Sequence, residues 1–219
     1  SGSSVSLSND GSIVAIGASG NSSYRGHVRI YRWENDDWKQ LGNDIDGEAE
    51  QDESGASISL SSDGSIVAIG ARRNADNGAY SGHVRIYQLE NDDWKQLGND
   101  IDGETFGDNS GVAVSLSDDG YVVAIGASSN DGNGSDSGHV RIYQLENDEW
   151  KQLGNDINGE SGKDRSGHSV SLSNDGSIVA IGAPGNSYEK GHVRIYQKIS
   201  ASIAENTTDV ATYTVADLD

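Results

Sequence analysis

The sequence contains no cysteine and no methionine, and only one proline and one phenylalanine among 219 residues. Without cysteine, disulfides, thiolate metal centres and thiol nucleophiles are all excluded; secretion is not, because large surface proteins can fold without disulfides. Methionine is missing even at position 1, so the chain reads as a piece of a longer polypeptide. Neither a run of about 18 apolar residues nor a signal-peptide pattern occurs, so no membrane insertion is expected. Basic residues are also scarce. Fifteen Lys and Arg against 35 Asp and Glu leave a net charge of −20, which repels phosphate backbones and argues against a nucleic-acid partner. Such a surface attracts cations and keeps a glycine-rich chain soluble.

What the sequence has in abundance is glycine, 29 residues of it, and repetition. The phrase "SGSSVSLSNDGSIVAIGA" at Ser1 returns in close variants at Ser54, Ser110 and Ser166, and "GHVRIY" recurs from Gly26, Gly82, Gly138 and Gly191. The spacing is 56, 56 and then 53 residues, and most of the variation lies between the IGA triplet and GHVRIY. A fixed period of this size marks a solenoid, a propeller or an array. The units are residues 1–53, 54–109, 110–165 and 166–199.

Within the second unit, "ASISL" and "SIVAIGA" flank an Asp63-Gly64 turn and read as a hairpin. "HVRIYQL" alternates Val84 and Ile86 against His83, Arg85 and Tyr87, a period of two, and "DDWKQLG" supplies a more polar fourth strand. Helical periodicity is lacking. The expected fold is therefore all-β: propeller-type blades of four short antiparallel strands, packed face to face so that few edges remain exposed. A stacked β-solenoid is the alternative. The fourth unit lacks the D-W-K-Q-L-G strand, so upstream residues, the tail around "TYTV" or another chain must complete it. Further blades or a neighbouring chain are the expected partners.

The pattern SGxSVSLSxDGxxVAIGAxxN…GHVRIY resembles the FG-GAP repeat of integrin-α-type β-propellers, with Gly182-Ala183-Pro184 matching the GAP triplet in full. The resemblance implies an adhesion propeller. Its usual calcium loop, D-x-D-x-D-G, is shortened here to "SNDGS", "SSDGS" and "SDDGY", too few oxygens for six to eight ligands. Residues 200–219, "ISASIAENTTDVATYTVADLD" from Ile199, resemble the opening of a bacterial cadherin-like domain. That resemblance implies interdomain calcium ligands at Glu205, Asp217 and Asp219; an acidic linker is the other reading.

A second calcium candidate is the repeated "NDIDGE" loop: Asp44, Asp46, Glu48 and Asp52, then Asp100, Asp102, Glu104 and Asp108, with Asp156, Asn158, Glu160 and Asp164 in the third copy. Carboxylates at positions 1, 3, 5 and 9 echo a calcium loop, although glycine stands at position 4 and the closing Glu is missing. A turn-capping connector is the alternative. His27, His83, His139 and His192 share a strand face with Arg29, Arg85, Arg141 and Arg194, either as a metal-binding ring or as a packed, hydrogen-bonded face. In the third variable loop, Asn130, Asp131, Asn133 and Asp136 form an oxygen-rich cluster suited to ligand binding.

Every polar candidate is copied three or four times, whereas catalytic sites are usually singular, so the chain is expected not to be an enzyme. The expected function is a structural or adhesion module of a large repetitive protein, extracellular or on the cell surface. The alternative is a propeller that recognises cell-surface glycans or other protein chains through its variable loops. Calcium is the only cofactor the sequence suggests.

Overall fold

The computed structural model describes residues 1–186, 190–200 and 211–216. The first blade comprises β1 (Val5–Leu7), β2 (Ile13–Gly17), β3 (His27–Glu34), β4 (Asp37–Gln40) and β5 (Ile45–Asp46), and the second β6 (Ser57–Leu60), β7 (Ile66–Ala71), β8 (His83–Glu90), β9 (Asp93–Gln96) and β10 (Ile101–Asp102). The third comprises β11 (Ser110–Leu116), β12 (Val122–Ala127), β13 (His139–Glu146), β14 (Glu149–Gln152) and β15 (Ile157–Asn158); the fourth β16 (Ser169–Leu172), β17 (Ile178–Ala183), β18 (His192–Ser200) and β19 (Ala211–Ala216). Each sheet is antiparallel with its long strands in sequence order, as expected for propeller blades.

Local chemistry fixes each sheet. At the first hairpin, Asp10 Oδ1 accepts hydrogen bonds from Ser8 Oγ at 2.7 Å and from Ser12 N at 2.9 Å, while Gly11 takes a φ of +71°. The corner between β8 and β9 is a two-residue turn in which Asn91 and Asp92 both have positive φ. That matches a type I′ turn, whose twist suits a hairpin.

One feature exceeds the four-strand expectation, and one of the sequence alternatives is realised. The "DID" segment contributes a fifth, two-residue strand, with Asp102 paired to His83 and Ile101 to Val84. In the fourth blade the outer position is filled by the tail, since β19 pairs with β18 from Ser200↔Ala211 to Ile195↔Ala216. The strand missing from the fourth repeat is thus supplied by "ATYTVA".

The core lies between blades. Ile13, Ala15, Val28 and Ile30 of the first blade pack with Ile58, Leu60, Val67, Ile69 and Trp94 of the second, and the next two junctions repeat this. Polar stitches accompany the packing. Leu60 N donates to Ser6 Oγ at 3.0 Å, Leu116 N to Ser59 Oγ at 3.0 Å, and Trp94 Nε1 to the Leu41 carbonyl at 2.9 Å. Glycines set the closest approach: a Cβ on Gly70 would stand 2.2 Å from the Gly111 carbonyl oxygen, so the blades meet backbone to backbone there.

Candidate functional site

The variable loops and the blade connectors emerge at the same end of the sheets. Gly82 bridges Ser110, and Gly103 N donates to the Gly82 carbonyl at 2.7 Å, which holds the connector against the start of β8. His83 follows at once. Period two puts His83, Arg85 and Tyr87 on the face toward the first blade, while Val84 and Ile86 pack toward the third.

Glu48 of the first blade's connector meets this face. Its Oε2 lies 3.7 Å from His83 Nδ1, and its Oε1 lies 3.7 Å from Arg85 Nη1. Arg85 is anchored by donating from Nη2 to the Asp46 carbonyl at 2.8 Å. Asp100 Oδ2, 3.7 Å from His83 Nδ1, and Asp76 Oδ2, 3.9 Å away, complete a group of four. Asp100 is steered by Gln96, whose Nε2 donates to Oδ1.

Burial, then the positive charge of Arg85, lowers the His83 pKa below its ordinary value. The imidazole is therefore neutral at physiological pH, and its contacts are too long for hydrogen bonds. Burial raises the Glu48 pKa.

The next junction repeats the arrangement with one donor fewer. Glu104 Oε2 and Asp156 Oδ2 stand 3.8 and 3.9 Å from His139 Nδ1, and Glu104 Oε1 is 4.0 Å from Arg141 Nη1. Gly132 occupies the place of Asp76 in the variable loop. The His139 pKa is lowered to about 4, first by burial and then by Arg141. At the third junction Glu160 approaches His192 at 3.7 Å and Arg194 at 4.0 Å.

The remaining sequence candidates have other surroundings. Asp44 Oδ2 forms an ion pair with Arg29 at 2.8 Å within its own blade, which lowers its pKa. Asp46 pairs with His27 along the sheet. Asp52 and Asp108 are buried and accept from Ala49 N at 2.9 Å and Thr105 N at 3.0 Å, capping their turns. Burial raises the Asp102 pKa, and its buried Oδ1 has no hydrogen-bond partner among the described residues. The NDIDGE carboxylates are thus divided between turns, an arginine and the histidine clusters.

In the third variable loop, Asn130 Oδ1 accepts from Gly132 N at 2.8 Å and Asp131 Oδ1 from Asp136 N at 2.9 Å. Asn133 Nδ2 reaches across to the Gly159 carbonyl at 2.8 Å, and Asp136 holds a positive φ. These groups shape the loop. Glu205, Asp217 and Asp219 lie outside the described residues.

An aromatic pair that the sequence does not mark lies where the second variable loop meets the connector after β10, with the Phe106 backbone against Gly78. Tyr80 is 43 % and Phe106 69 % exposed, and the Arg73 guanidinium lies 5.6 Å from the Tyr80 ring centroid. Buried Glu53 fixes both arginines: Arg72 Nε donates to Oε2 at 2.8 Å, and Arg73 Nη1 lies 3.0 Å from Oε1. Phe106 was visible as the only phenylalanine in the chain. Nothing local in the sequence, however, placed it beside Tyr80.

No family model and no curated protein matches the chain. Solved structures do. The periplasmic gluconolactonase of Pseudomonas aeruginosa is similar over 100 % of this chain and 58 % of its own, with TM-score 0.60 and 14 % identity. A Bacteroides uniformis protein assigned as a 6-phosphogluconolactonase is similar over 100 % of this chain and 73 % of its own, with TM-score 0.50 and 13 % identity. Kuenenia stuttgartiensis hydrazine synthase matches over 86 % of this chain and 57 % of its own, at TM-score 0.54 and 13 % identity. At such identities the likeness establishes a β-propeller-type fold and nothing finer.

It nevertheless corrects one expectation. The copied polar groups gave the expectation that the chain is not an enzyme, yet propellers named as lactonases share this architecture, so repetition is no argument against catalysis. The physical reason is visible in the junctions. Copies of one motif differ in their completed side-chain sets, so a repeat can still hold a singular site.

Proposed function

We propose that this chain is a recognition propeller of a secreted or surface-exposed protein, and that the rim patch around Tyr80 and Phe106 binds a carbohydrate. The supporting observation is that two exposed aromatic rings stand on pinned backbone. Gly107 N donates to the Ala79 carbonyl at 3.1 Å and Asn109 N to the Tyr80 carbonyl at 2.9 Å. Exposed rings on a backbone already ordered offer apolar faces to sugar C–H groups without the cost of ordering the loop. Arg72 and Arg73, already oriented by Glu53, supply hydrogen-bond donors beside them. The pair is particular to one junction: the next copy has Asp136 and Gly162 at the equivalent positions, and the first has exposed Tyr24 with Glu50 in place of Phe106.

The FG-GAP resemblance and the acidic composition support an adhesion role, and the cadherin-like resemblance of the tail is consistent with a spacer. No described helix is long and apolar enough to cross a membrane. The lactonase likeness supplies the competing reading, hydrolysis of a sugar lactone at the same rim. A glycan array followed by calorimetry decides between them. Phe106→Ala and Tyr80→Ala should each weaken glycan binding about tenfold or more with the fold intact. An array without binders, together with turnover of aldonolactones by the unaltered chain, would replace recognition by hydrolysis.

The outer face of the fourth blade adds an assembly proposal. Its surface forms a cleft of about 390 Å³ lined by His168, Ser169, Gly182, Pro184, Gly191 and Val193. In the other blades this face receives the next blade's Ser-Gly segment: Ser57 Oγ donates to the Gly111 carbonyl at 2.7 Å, and Gly70 and Gly126 meet Gly111 and Gly167. The fitting occupant is a further blade carrying that motif, from the parent protein or from a neighbouring chain. Val193→Arg should abolish any self-association seen by light scattering; association unchanged by it would place the contact elsewhere.

A further inference from the structure

We infer that the junction of the first two blades is a binding site for a zinc-like divalent cation, held by His83 Nδ1, Glu48, Asp76 and Asp100. The side chains come from four places: the first blade's connector, the second variable loop, the start of β8 and the second connector. Their donor atoms all lie within 4.8 Å of one another.

Proximity of carboxylates on so acidic a chain would not by itself define a site. The decisive group is His83. Its side chain is 1 % exposed, Nδ1 points into the three carboxylates, and that atom has no hydrogen-bond partner among the described residues. A buried polar atom without a partner is costly, and a cation among the carboxylates would satisfy it. The spacing fits. Ligand atoms around a metal bound at about 2.1 Å are roughly 3.0–3.4 Å apart in octahedral or tetrahedral geometry. Here Nδ1 lies 3.7 to 3.9 Å from the three carboxylate oxygens and the whole set lies within 4.8 Å, so closure onto an ion requires the exposed side chains of Glu48 and Asp76 to rotate inward.

Neighbouring groups orient the donors. Arg85 faces Glu48 Oε1 and leaves Oε2 toward His83, while Gln96 engages Asp100 Oδ1 and leaves Oδ2. Imidazole nitrogen with few oxygens selects a first-row transition ion over calcium, which prefers six to eight oxygens. The ion would tie the second variable loop and both connectors together, beside the aromatic patch. The site is nonetheless argued independently of carbohydrate recognition, and its test involves no sugar.

The test is calorimetric titration of the full chain with zinc chloride in a buffer containing millimolar magnesium, which occupies loosely gathered carboxylates. One dominant site per chain is expected. His83→Ala should remove it, and Asp76→Asn should weaken it at least tenfold, with circular dichroism unchanged. Asp76 is 59 % exposed, so its variant reports on binding even if the His83 variant fails to fold. Cobalt in place of zinc should give visible d–d absorption that the His83 variant loses. No zinc binding at about 0.1 mM, or binding that survives both substitutions, would overturn the inference.

Discussion

Val84 and Val193 occupy the same place in identical "GHVRIY" strands, yet Val84 is fully buried and Val193 is 66 % exposed. Ile66 and Ile178 form a similar pair, at 2 % and 40 %. In each case the difference is the neighbouring blade: the Gly120 turn covers Ile66, and Val84 packs with Val114 and Leu116 of the third blade. Identical residues thus acquire different energetic roles. Burial here belongs to the junction between two repeats and cannot be assigned to a repeat alone.

Glycine substitution should break the comparison most sharply. A Cβ on Gly70 would meet the Gly111 carbonyl oxygen at 2.2 Å, whereas on Gly182 it would meet Ser169 Oγ at 2.3 Å, a side chain that can rotate away. Gly70→Val should cost about 3 kcal/mol or more by urea denaturation, Gly182→Val well under 1 kcal/mol. Equal losses would mean that the two faces are equally constrained.

Acid should probe the inner junctions next. His139 is surrounded by Glu104, Asp156 and Arg141, and its pKa falls from the ordinary 6.5 to about 4. Between those values the unfolded chain binds a proton that the folded chain refuses, so stability falls as pH drops from 6.5 toward 4. The loss contributed by this residue should approach about 3 kcal/mol near pH 4. In chelator-treated buffer, His139→Gln should flatten that slope. An unchanged slope would show that His139 is protonated when folded.

Tryptophan gives a smaller contrast. Trp94 is 7 % exposed and donates to the Leu41 carbonyl, while its copy Trp38 is 41 % exposed. Trp94→Phe should cost about 1–2 kcal/mol for the lost bond and packing, and Trp38→Phe less than about 0.5 kcal/mol. Thermal unfolding of the pair measures the difference.

The repeat period and strand alternation made the blades legible: the Asp63-Gly64 hairpin and the face shared by His83, Arg85 and Tyr87 were both readable. The clusters were not, although Glu48, His83 and Asp100 each stood out in the sequence. Glu48 and Asp100 were read as ligands of separate linear loops, because the sequence cannot show that one connector meets the next connector and the intervening histidine. Asp76 had no signal beyond its place in a variable loop. The short strand of Ile101 and Asp102 was likewise hidden, since two residues carry no periodicity.

The finest contrast lies between the His83 and His139 clusters, which share the histidine, the arginine-steered glutamate and the connector aspartate. They differ at Asp76 and Gly132. The backbone is alike at the two positions: Asp76 N donates to Asn74 Oδ1 at 3.0 Å, and Gly132 N to Asn130 Oδ1 at 2.8 Å. Gly132 has no positive φ, so a side chain is not refused by the backbone. A Cβ there would stand 2.8 Å from Asn130 Oδ1, the end of a side chain that can shift as Asn74 does beside Asp76. Gly132→Asp should therefore give the second cluster its fourth donor. Zinc titration should show a second site strengthened about tenfold, while the His83 site is unchanged. If affinity at the second cluster does not rise, then Asp76 contributes little to the first, and the two junctions differ in something other than ligand count.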